Sequence, residues 1–414
     1  MTPQKDVAII GAGPSGSVAA ALLVQQGFSV VVLERQRFPR FSIGESLLAQ
    51  SLELVEQAGL LEPVLAGGFQ FKNGAAFTRG PEYSEFNFAQ KSCAGPGFTF
   101  QVPRGEFDKI LIDAAEKMGA EVRYEVEITA ADFSNGPRLV ARDASGRVEE
   151  LRPKLVLDAS GFGRTLPRLL GLESPSRLPT RSALYTQIHD RIPSGAFDRQ
   201  KIRIVIHPEH HEVWFWLIPF SNGKASFGVV ADDAFLQAMS GTHEEKLFTL
   251  GRQDPGLLRL LADATPAIPV GELRGYSANV STMCGPGFAL LGNAAEFLDP
   301  VFSSGVTIAM KSSHLAVAAA VRELRGEQVD WKADFEAPLR VGVETFRGFV
   351  ETWYTGELQD IIFYDERKQS ERIRRYICSI LAGYAWDKDN PYVGEAKQKL
   401  VRLAQVCRGG VGAA

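Results

Sequence analysis

Lys72 is the first residue in this sequence whose setting suggests chemistry. It lies in the segment FQFKNG, where two phenylalanines precede it closely in the chain. A lysine is most often a solvated surface charge, but burial among apolar groups lowers its pKa and leaves more of the amine neutral. A neutral amine is the form that reacts. The segment therefore favours a buried Lys72 with a lowered pKa, and an ordinary surface lysine is the alternative.

A nucleotide-binding pattern occupies the N-terminal region. Gly11, Gly13 and Gly16 form GxGxxG within GAGPSG, which includes Ser15 and joins a predicted strand to a predicted helix. The first glycine allows a tight turn, the second admits a pyrophosphate to the backbone, and the third lets the helix pack closely. The N-terminus of the helix favours negative charge. Glu34 ends the next strand 18 residues after Gly16, near the spacing at which an acidic residue binds ribose hydroxyls. Together these features predict a dinucleotide site.

Two of the five tryptophans, Trp214 and Trp216, lie one residue apart in the stretch HEVWFWLIPF. Because side chains alternate along a strand, both indoles are expected on the same face. A bulky core strand explains this stretch alone as well as the wall of a binding site does. The role of the pair therefore depends on the elements around it.

The elements that position these residues alternate as in an α/β fold. VAII and VVVL are typical of parallel strands that are buried on both faces, and a helix is predicted between them. FDKILIDAAEK predicts a second helix, and LVLDAS a further buried strand. Residues 174 to 285 then change to alternating strands, ALYTQI, KIRIVIH, VWFWLIP and ASFGVVA. FALLGNAAEFLDP returns to a strand and a turn before a long Ala-rich helix.

These elements predict three regions. A dinucleotide-binding (Rossmann) domain takes residues 1–173 and 286–330, and an antiparallel β-sheet substrate domain, residues 174–285, is inserted into it. A mostly helical C-terminal region takes residues 331–414, with a frayed end at 409–414. The length of 414 residues suits two or three domains of about 150 residues each.

Composition excludes several classes of function. The net charge is −4, so there is no basic surplus for nucleic acid or an anionic membrane. Four cysteines are widely spaced without a CxxC motif, which predicts free thiols in a reducing compartment. Six residues before VAIIGAG leave no room for a signal peptide. No run of 18 apolar residues occurs to span a membrane. We expect a cytoplasmic protein.

Three histidines, His207, His210 and His211, lie in IHPEHHEV. Their spacing fits no metal-ligand pattern. We interpret this segment as a polar turn between two strands, and the sequence predicts no metal site.

Several further motifs carry a family resemblance. LDASG and LLGNAAEFLDP resemble the middle and distal motifs of glutathione-reductase-like FAD proteins, in the group of aromatic hydroxylases and halogenases. Within this group, WFWLIP is similar to the WxWxIP motif of the flavin-dependent halogenases. FPRFSIGESLL, FQFKNGAAF and LDPVFSSGV also resemble halogenase segments, and WYTGELQDIIFY resembles a helix of the phenol and pyrrole subgroup. The resemblance runs from residue 7 to about 364.

The resemblance implies FAD as the cofactor. It assigns cofactor contacts to Ser46, Arg104, Asp158, Asn293 and Val306. The family usually has aspartate where this chain has Asn293; asparagine can still bind a hydroxyl, so FAD binding should survive with altered strength. For Arg104, in VPRGEFDKIL, the alternative is a solvated arginine beside a helix cap.

The resemblance also implies a halide site at Ser304 and Gly305. Backbone N–H groups that open a helix can bind chloride or bromide. Phe302 stands where the tryptophan-specific halogenases carry a glutamate, and this difference fits the phenol or pyrrole subgroup.

In the halogenases, a halide is oxidised beside the flavin and hypohalous acid travels to a separate substrate pocket. The resemblance assigns Trp214 and Trp216 to the separation of flavin from substrate. It assigns Lys72 to the halogen, which the lysine would hold by a hydrogen bond or as a haloamine.

The function implied is that of a FADH2-dependent halogenase, which uses O2 and chloride or bromide on an electron-rich phenol or pyrrole, free or tethered to a carrier protein. A FAD-dependent monooxygenase or dehydrogenase on the same scaffold stays open, because Asn293 and the compact chain depart from the family pattern. A flavin-binding protein with degenerate chemistry is a third alternative. No second GxGxxG is present for NAD(P)H, which predicts a separate NAD(P)H-dependent flavin reductase as partner.

Overall fold

The computed structural model describes residues 5–364 and 370–409. The frayed end predicted from residue 409 onward therefore lies, apart from Gly409, outside the described residues.

The strands are β1 (Val7–Ile10), β2 (Val30–Glu34), β3 (Gln70–Lys72), β4 (Gly74–Arg79), β5 (Glu82–Asn87), β6 (Thr99–Gln101), β7 (Glu121–Tyr124), β8 (Val126–Asp132), β9 (Arg138–Asp143), β10 (Val148–Leu151), β11 (Leu155–Asp158), β12 (Glu173–Ser174), β13 (Arg181–His189), β14 (Lys201–Ile206), β15 (Trp214–Pro219), β16 (Lys224–Asp232), β17 (Thr265–Pro266), β18 (Gly271–Arg274), β19 (Asn279–Val280), β20 (Cys284–Gly285) and β21 (Phe288–Leu290). The helices are α1 (Pro14–Gln25), α2 (Gln50–Gln57), α3 (Leu61–Ala66), α4 (Arg104–Lys117), α5 (Thr165–Leu169), α6 (Asp233–Ala238), α7 (His243–Gln253), α8 (Pro255–Leu260), α9 (Ser304–Leu324), α10 (Ala337–Tyr354), α11 (Glu357–Ile362), α12 (Glu371–Leu381) and α13 (Ala396–Cys407).

The first sheet has the strand order β20-β21-β11-β1-β2-β7. All neighbours from β21 to β7 run parallel. Every residue of β1 and β2 is buried, and α1 packs against α4 and α9. Their continuous apolar runs are what a parallel sheet covered by helices requires. This arrangement confirms the predicted Rossmann-type domain.

The second sheet, called here the substrate sheet, has the order β17-β13-β16-β15-β14-β4-β5, and β18 also pairs with β13. Its pairs are antiparallel except for β14 and β4, which run parallel. The strands β4 and β5 come from residues 74–87, ahead of the predicted insertion at 174–285. The sheet is thus assembled from two segments of the chain that are far apart in sequence.

Strand β15 separates two hydrophobic cores. Trp214, Trp216 and Ile218 belong to the main core, whereas Phe215 and Leu217 belong to a second core under α6, α7 and α8. The two indoles therefore share one face of the strand, as alternation predicts. Their ring centroids are 5.9 Å apart.

The histidine segment forms a turn between β14 and β15. The Nδ1 atom of His207 accepts the backbone N–H groups of Glu209 and His210 at 3.1 and 3.2 Å. Its Nε2 atom pairs with Gln253 at 2.5 Å. Hydrogen bonds within a polar turn therefore account for His207.

Residues 5–364 and 370–409 contain neither a helix that could span a membrane nor a group of possible metal ligands. None of their helices is long and apolar enough to cross a bilayer. None of their His, Cys, Asp and Glu side chains form a cluster that could hold a metal ion.

Candidate active site

A cavity of about 350 Å³ lies where the ends of β1, β2 and β11 meet the substrate sheet. In open α/β sheets, ligands bind beyond the carboxyl ends of the parallel strands. Most of the predicted site residues line this cavity, namely Gly11, Gly13, Ser15, Glu34, Ser46, Arg104, Trp214, Trp216, Asn293, Gly305 and Val306. The remaining four, Gly16, Lys72, Asp158 and Ser304, lie outside its wall.

The three glycines have separate physical reasons to be glycine. Gly11 has φ +97°, a conformation that L side chains rarely adopt. A Cβ at Gly16 would lie 1.9 Å from the carbonyl oxygen of Gly11, so this residue fixes the packing of α1 against the turn. A Cβ at Gly13 would meet only Arg40, at 3.5 Å. Gly13 is therefore free of the protein's own packing and leaves room for a ligand at the N-terminus of α1.

Glu34 ends β2 with its carboxylate in the cavity wall. Its Oε2 accepts the backbone N–H of Ala12 and its Oε1 that of Gln36, both at 2.9 Å. These bonds hold the carboxylate beside the glycine turn. Each oxygen retains a lone pair for a hydroxyl donor, so the position fits a ribose.

Arg104 lines the cavity, and Asp158 lies behind its wall. The buried carboxylate of Asp158 accepts the N–H groups of Ser160 at 2.9 Å and Leu166 at 2.7 Å. Burial raises its pKa, and these hydrogen bonds oppose that rise. Arg104 lines the cavity, donating from Nε to Asp108 at 2.8 Å and from Nη1 to the carbonyl of Ile43 at 2.8 Å. Asp158 thus organises the loop at 159–163, and Arg104 is held rather than solvated.

The predicted halide turn opens α9. Ser303 has φ +56° and precedes the helix, and Ser303 and Gly305 line the cavity. Ser304 is buried, with 2% of its surface exposed, and lies behind this wall. Asn293, in the neighbouring turn, also faces the cavity. The unsatisfied backbone N–H groups of a helix start are suited to an anion.

The indoles of Trp214 and Trp216 form part of the wall contributed by the substrate sheet. Trp214 Nε1 donates to the hydroxyl of Tyr354 at 3.0 Å, and Trp216 Nε1 to that of Ser226 at 3.0 Å. Both rings are buried, and both N–H groups are satisfied, so the orientation of each indole is fixed.

A buried polar network holds Trp214 from behind. The hydroxyls of Tyr354 and Tyr276 both donate to Asp299 Oδ2, at 2.8 and 2.9 Å. The guanidinium of Arg181 lies 3.4 Å from the ring centroid of Tyr354. Burial raises the pKa of Asp299, while the hydrogen bonds and the charge of Arg181 lower it. We missed this network in the sequence, where the only signal was Asp299 within LDPVFSSGV.

Lys72 ends β3 and has no exposed surface. Its Nζ donates to Ser46 Oγ at 2.8 Å and to the carbonyl of Leu47 at 2.6 Å, and it lies 5.2 Å from the ring centroid of Phe88. Burial lowers its pKa to about 7. The burial expected from FQFKNG is confirmed. The lysine contacts the cavity through Ser46, which lines it.

Glu45 is the second residue that sequence reasoning missed. It lies within the segment FPRFSIGESLL, where the family resemblance assigns a cofactor contact to Ser46 and no role to the glutamate. Its carboxylate is buried, lines the cavity and accepts the amide of Gln187 at 2.6 Å. A charged residue type inside the short segment SIGESLL was the available signal.

The cavity fits FAD. The open position at Gly13, the N-terminus of α1 and the carboxylate of Glu34 suit a pyrophosphate and a ribose. The aromatic and apolar residues of the substrate sheet suit a ring system. A model of the FAD binding domain family matches residues 4–334. The chain belongs to this FAD-binding family, which confirms FAD as cofactor and an FAD-dependent oxidoreductase as the class of enzyme.

Individual FAD-dependent proteins that resemble this chain include halogenases and a dehydrogenase. The chain is 29% identical to the 1H-pyrrole-2-carbonyl-[peptidyl-carrier protein] chlorinase of Pseudomonas fluorescens, over 97% of this chain and 92% of the relative. The structure of the myxobacterial chondrochloren halogenase CndH is 27% identical with a TM-score of 0.78, over 100% of this chain and 98% of that chain. A flavoprotein/dehydrogenase from Cytophaga hutchinsonii is 41% identical with a TM-score of 0.95, over 99% of this chain and 100% of that chain. The matches to the chlorinase and to CndH confirm the resemblance to the flavin-dependent halogenases.

Proposed function

We propose that this protein is a FADH2-dependent halogenase that uses O2 and chloride or bromide to halogenate an electron-rich phenol or pyrrole. The observation that carries the proposal is the arrangement of Lys72 and the indole wall. Trp214 and Trp216 line the cavity, while Lys72 is buried outside it and touches it through the hydroxyl of Ser46. Halogen transfer away from the flavin requires a reactive group of this kind, whereas direct oxidation of a substrate at the flavin does not.

Bound as FADH2, the cofactor would supply the electrons for the net reaction FADH2 + O2 + X− + H+ → FAD + HOX + H2O. The residues of the chain bind and orient the reactants. Glu34 would hold the ribose, and the start of α1 the pyrophosphate. The backbone at Ser304 and Gly305 would hold the halide, since the N-terminus of a helix of 21 residues favours an anion.

Lys72 would then receive the oxidised halogen. Its pKa of about 7 leaves a large fraction of the amine neutral near neutrality. A neutral amine can hold hypohalous acid by a hydrogen bond or take the halogen as a haloamine, and direct it to the ring. The halogen replaces a ring hydrogen by ArH + HOX → ArX + H2O, which balances without a further reactant.

The relatives support the proposed class of substrate, and the sequence supports the proposed partner. The Pseudomonas fluorescens relative is named for a pyrrole carried on a peptidyl carrier protein, which supports a pyrrole or phenol here, free or carrier-bound. We also infer a separate NAD(P)H-dependent flavin reductase, since the GxGxxG pattern occurs once in this sequence. The reductase is tested by NADPH consumption: the purified protein alone should consume none.

A second candidate is an FAD-dependent monooxygenase or dehydrogenase on the same scaffold. Two observations favour it. The 41% identical Cytophaga hutchinsonii protein is a flavoprotein/dehydrogenase, and Asn293 stands where the halogenases usually have aspartate. In this candidate, substrate oxidation would be indifferent to halide.

The two candidates are separated by an experiment that needs no substrate. FAD-loaded enzyme is reduced anaerobically and mixed with oxygenated buffer, with and without bromide, in the presence of an electron-rich trap. A halogenase reoxidises its flavin faster with bromide and brominates the trap. Reoxidation that ignores bromide, with no brominated trap, would leave the monooxygenase or dehydrogenase.

A further inference from the structure

Glu45 is the buried carboxylate of the cavity to which the reaction above gives no role. Only 2% of its surface is exposed, and it lines the cavity. Its backbone is fixed on both sides: its carbonyl accepts the N–H of Val102 at 2.7 Å, and Ser46 forms a bridge with Gln101. The side chain is therefore held at one place in the wall, next to the serine that contacts Lys72.

The surroundings of Glu45 come from three elements. Gln187 of β13 donates from Nε2 to its Oε1 at 2.6 Å. The hydroxyl of Ser226 on β16 also hydrogen-bonds the carboxylate of Glu45. The same hydroxyl accepts the indole N–H of Trp216 at 3.0 Å. Arg104 of α4 is the cation that faces it, and Tyr185 of β13 is the other titratable group it influences.

Burial raises the pKa of Glu45 to about 7, against the lowering effects of Ser226, Gln187 and the charge of Arg104. A carboxylic acid whose pKa lies near the working pH can both give and regain a proton. The position of Glu45 in the cavity wall and its pKa both suit a residue that transfers protons.

The other carboxylate in the cavity wall is less suited to move protons. Among the described residues that line the cavity, Glu34 and Glu45 are the only acidic ones. Both oxygens of Glu34 already accept backbone N–H groups at the glycine turn, which anchors this carboxylate there. Glu34 thus serves as a fixed acceptor at the glycine turn, and Glu45 lies beside the indole wall.

We propose that Glu45 donates the proton that halide oxidation consumes, to the oxygen atom that leaves as water. The inference rests on the proposed function. One oxygen of O2 leaves with the halogen as HOX and the other as water. These products contain three hydrogens, of which FADH2 supplies two. Glu45 forms the remaining O–H bond, becomes a carboxylate, and is reprotonated from solvent before the next turnover.

The test compares Glu45→Gln with a matched control, Asp254→Asn. Glutamine keeps the shape and an acceptor for Gln187 but cannot exchange a proton. Asp254 is also buried, yet it lies outside the cavity wall and caps α8 by accepting the N–H of Leu257 at 2.8 Å, which asparagine also does. Glu45→Asp provides a second variant that can still titrate.

Two readouts are taken on the FAD-loaded proteins. The first is the infrared C=O band of a protonated carboxylic acid, followed in the oxidised enzyme as pH rises through 7. A component of this band should be lost near pH 7 in wild type and in Asp254→Asn, and this loss near pH 7 should be missing in Glu45→Gln. The second is bromination of the trap by reduced enzyme with O2. Glu45→Gln should lose about 100-fold or more of this rate, with unchanged FAD content, while Asp254→Asn keeps it and Glu45→Asp retains part of it.

The proposal is overturned if Glu45→Gln brominates the trap at the wild-type rate and with the wild-type pH profile. It is also overturned if the band component that is lost near pH 7 is still present in Glu45→Gln. A wild-type enzyme that produces no oxidised bromine overturns the halogenase function as well. That failure is distinguishable, because it appears in wild type, whereas failure of the Glu45 proposal alone appears as an active variant.

Discussion

Lys72 donates a hydrogen bond from Nζ to Ser46 Oγ over 2.8 Å, and Ser46 lines a cavity whose wall Lys72 does not enter. One hydroxyl therefore links the buried amine to the space that fits the flavin. This relationship divides the proposed reaction into halide oxidation in the cavity and halogen transfer at the lysine. Substitutions at Lys72 should separate the two steps.

Lys72→Met should abolish halogenation of the substrate while leaving halide oxidation intact. Methionine fills similar space but cannot hold or pass on the halogen. Bromination of a small diffusible trap should continue at the wild-type rate, because the trap needs no lysine. Lys311→Met, which removes a half-buried lysine outside the cavity wall, should retain both activities. Loss of trap bromination in Lys72→Met would mean that the lysine takes part in halide oxidation.

Lys72→Met should also change how stability depends on pH. The pKa of Lys72 is lowered from 10.5 to about 7 in the folded protein, so the unfolded chain binds more protons between these values. Wild-type stability therefore rises as pH increases from about 7 to 10.5, by up to about 5 kcal/mol from this residue.

The variant lacks that titration. The free energy of unfolding of the variant, minus that of wild type, should be highest at pH 7. It should fall towards pH 10, because wild type gains stability there and the variant does not. Loss of the hydrogen bond to the carbonyl of Leu47 subtracts about 1–3 kcal/mol at every pH. Urea unfolding at the two pH values measures the difference. Equal differences at both would show that Lys72 is not buried as a partly neutral amine.

Gly13→Ala and Gly16→Ala should fail in different ways. The Cβ of alanine at position 16 would lie 1.9 Å from the carbonyl oxygen of Gly11, so α1 must move and the fold is destabilised. At position 13 the nearest protein atom is 3.5 Å away, so Gly13→Ala should fold normally and bind FAD more weakly. Thermal unfolding of the apoprotein and titration with FAD test this contrast. Equal FAD affinity for Gly13→Ala and wild type would show that the pyrophosphate of FAD does not bind at this turn.

Tyr354→Phe should destabilise the indole wall. Its hydroxyl accepts from Trp214 and donates to Asp299, so its removal leaves two buried groups with one partner fewer. The expected cost is about 1–3 kcal/mol in the free energy of unfolding. Tyr384→Phe is the matched control, because that hydroxyl donates to one carbonyl, that of Pro96, at 3.2 Å. A smaller loss in Tyr354→Phe than in this control would contradict a network that fixes Trp214.

The features predicted from sequence are those set by neighbours in the chain. The turn at Gly11 and Gly16 follows from a strand, a glycine pattern and a helix that are contiguous. The shared face of Trp214 and Trp216 follows from alternation within one strand. In each case a short-range pattern determines the geometry, and no knowledge of tertiary contacts is needed.

The features that were missed depend on contacts between distant segments. Glu45 receives its hydrogen bond from Gln187 on β13 and lies near Ser226 on β16, two strands of the substrate sheet. Asp299 meets Tyr354 and Tyr276 in the same way. Strand β4 joins the substrate sheet through β14, a partner more than a hundred residues later. No periodicity in the sequence encodes such pairs.

The central claim is that halogen, and not oxygen, reaches the substrate. The most direct measurement supplies reduced, FAD-loaded enzyme with 18O2, bromide and a mixture of phenols and pyrroles, free and carrier-bound, and identifies the products by mass spectrometry. A halogenase yields a brominated product that contains no 18O and does not form without bromide. A product that carries 18O, formed equally well without bromide, would contradict halogenation and identify a monooxygenase.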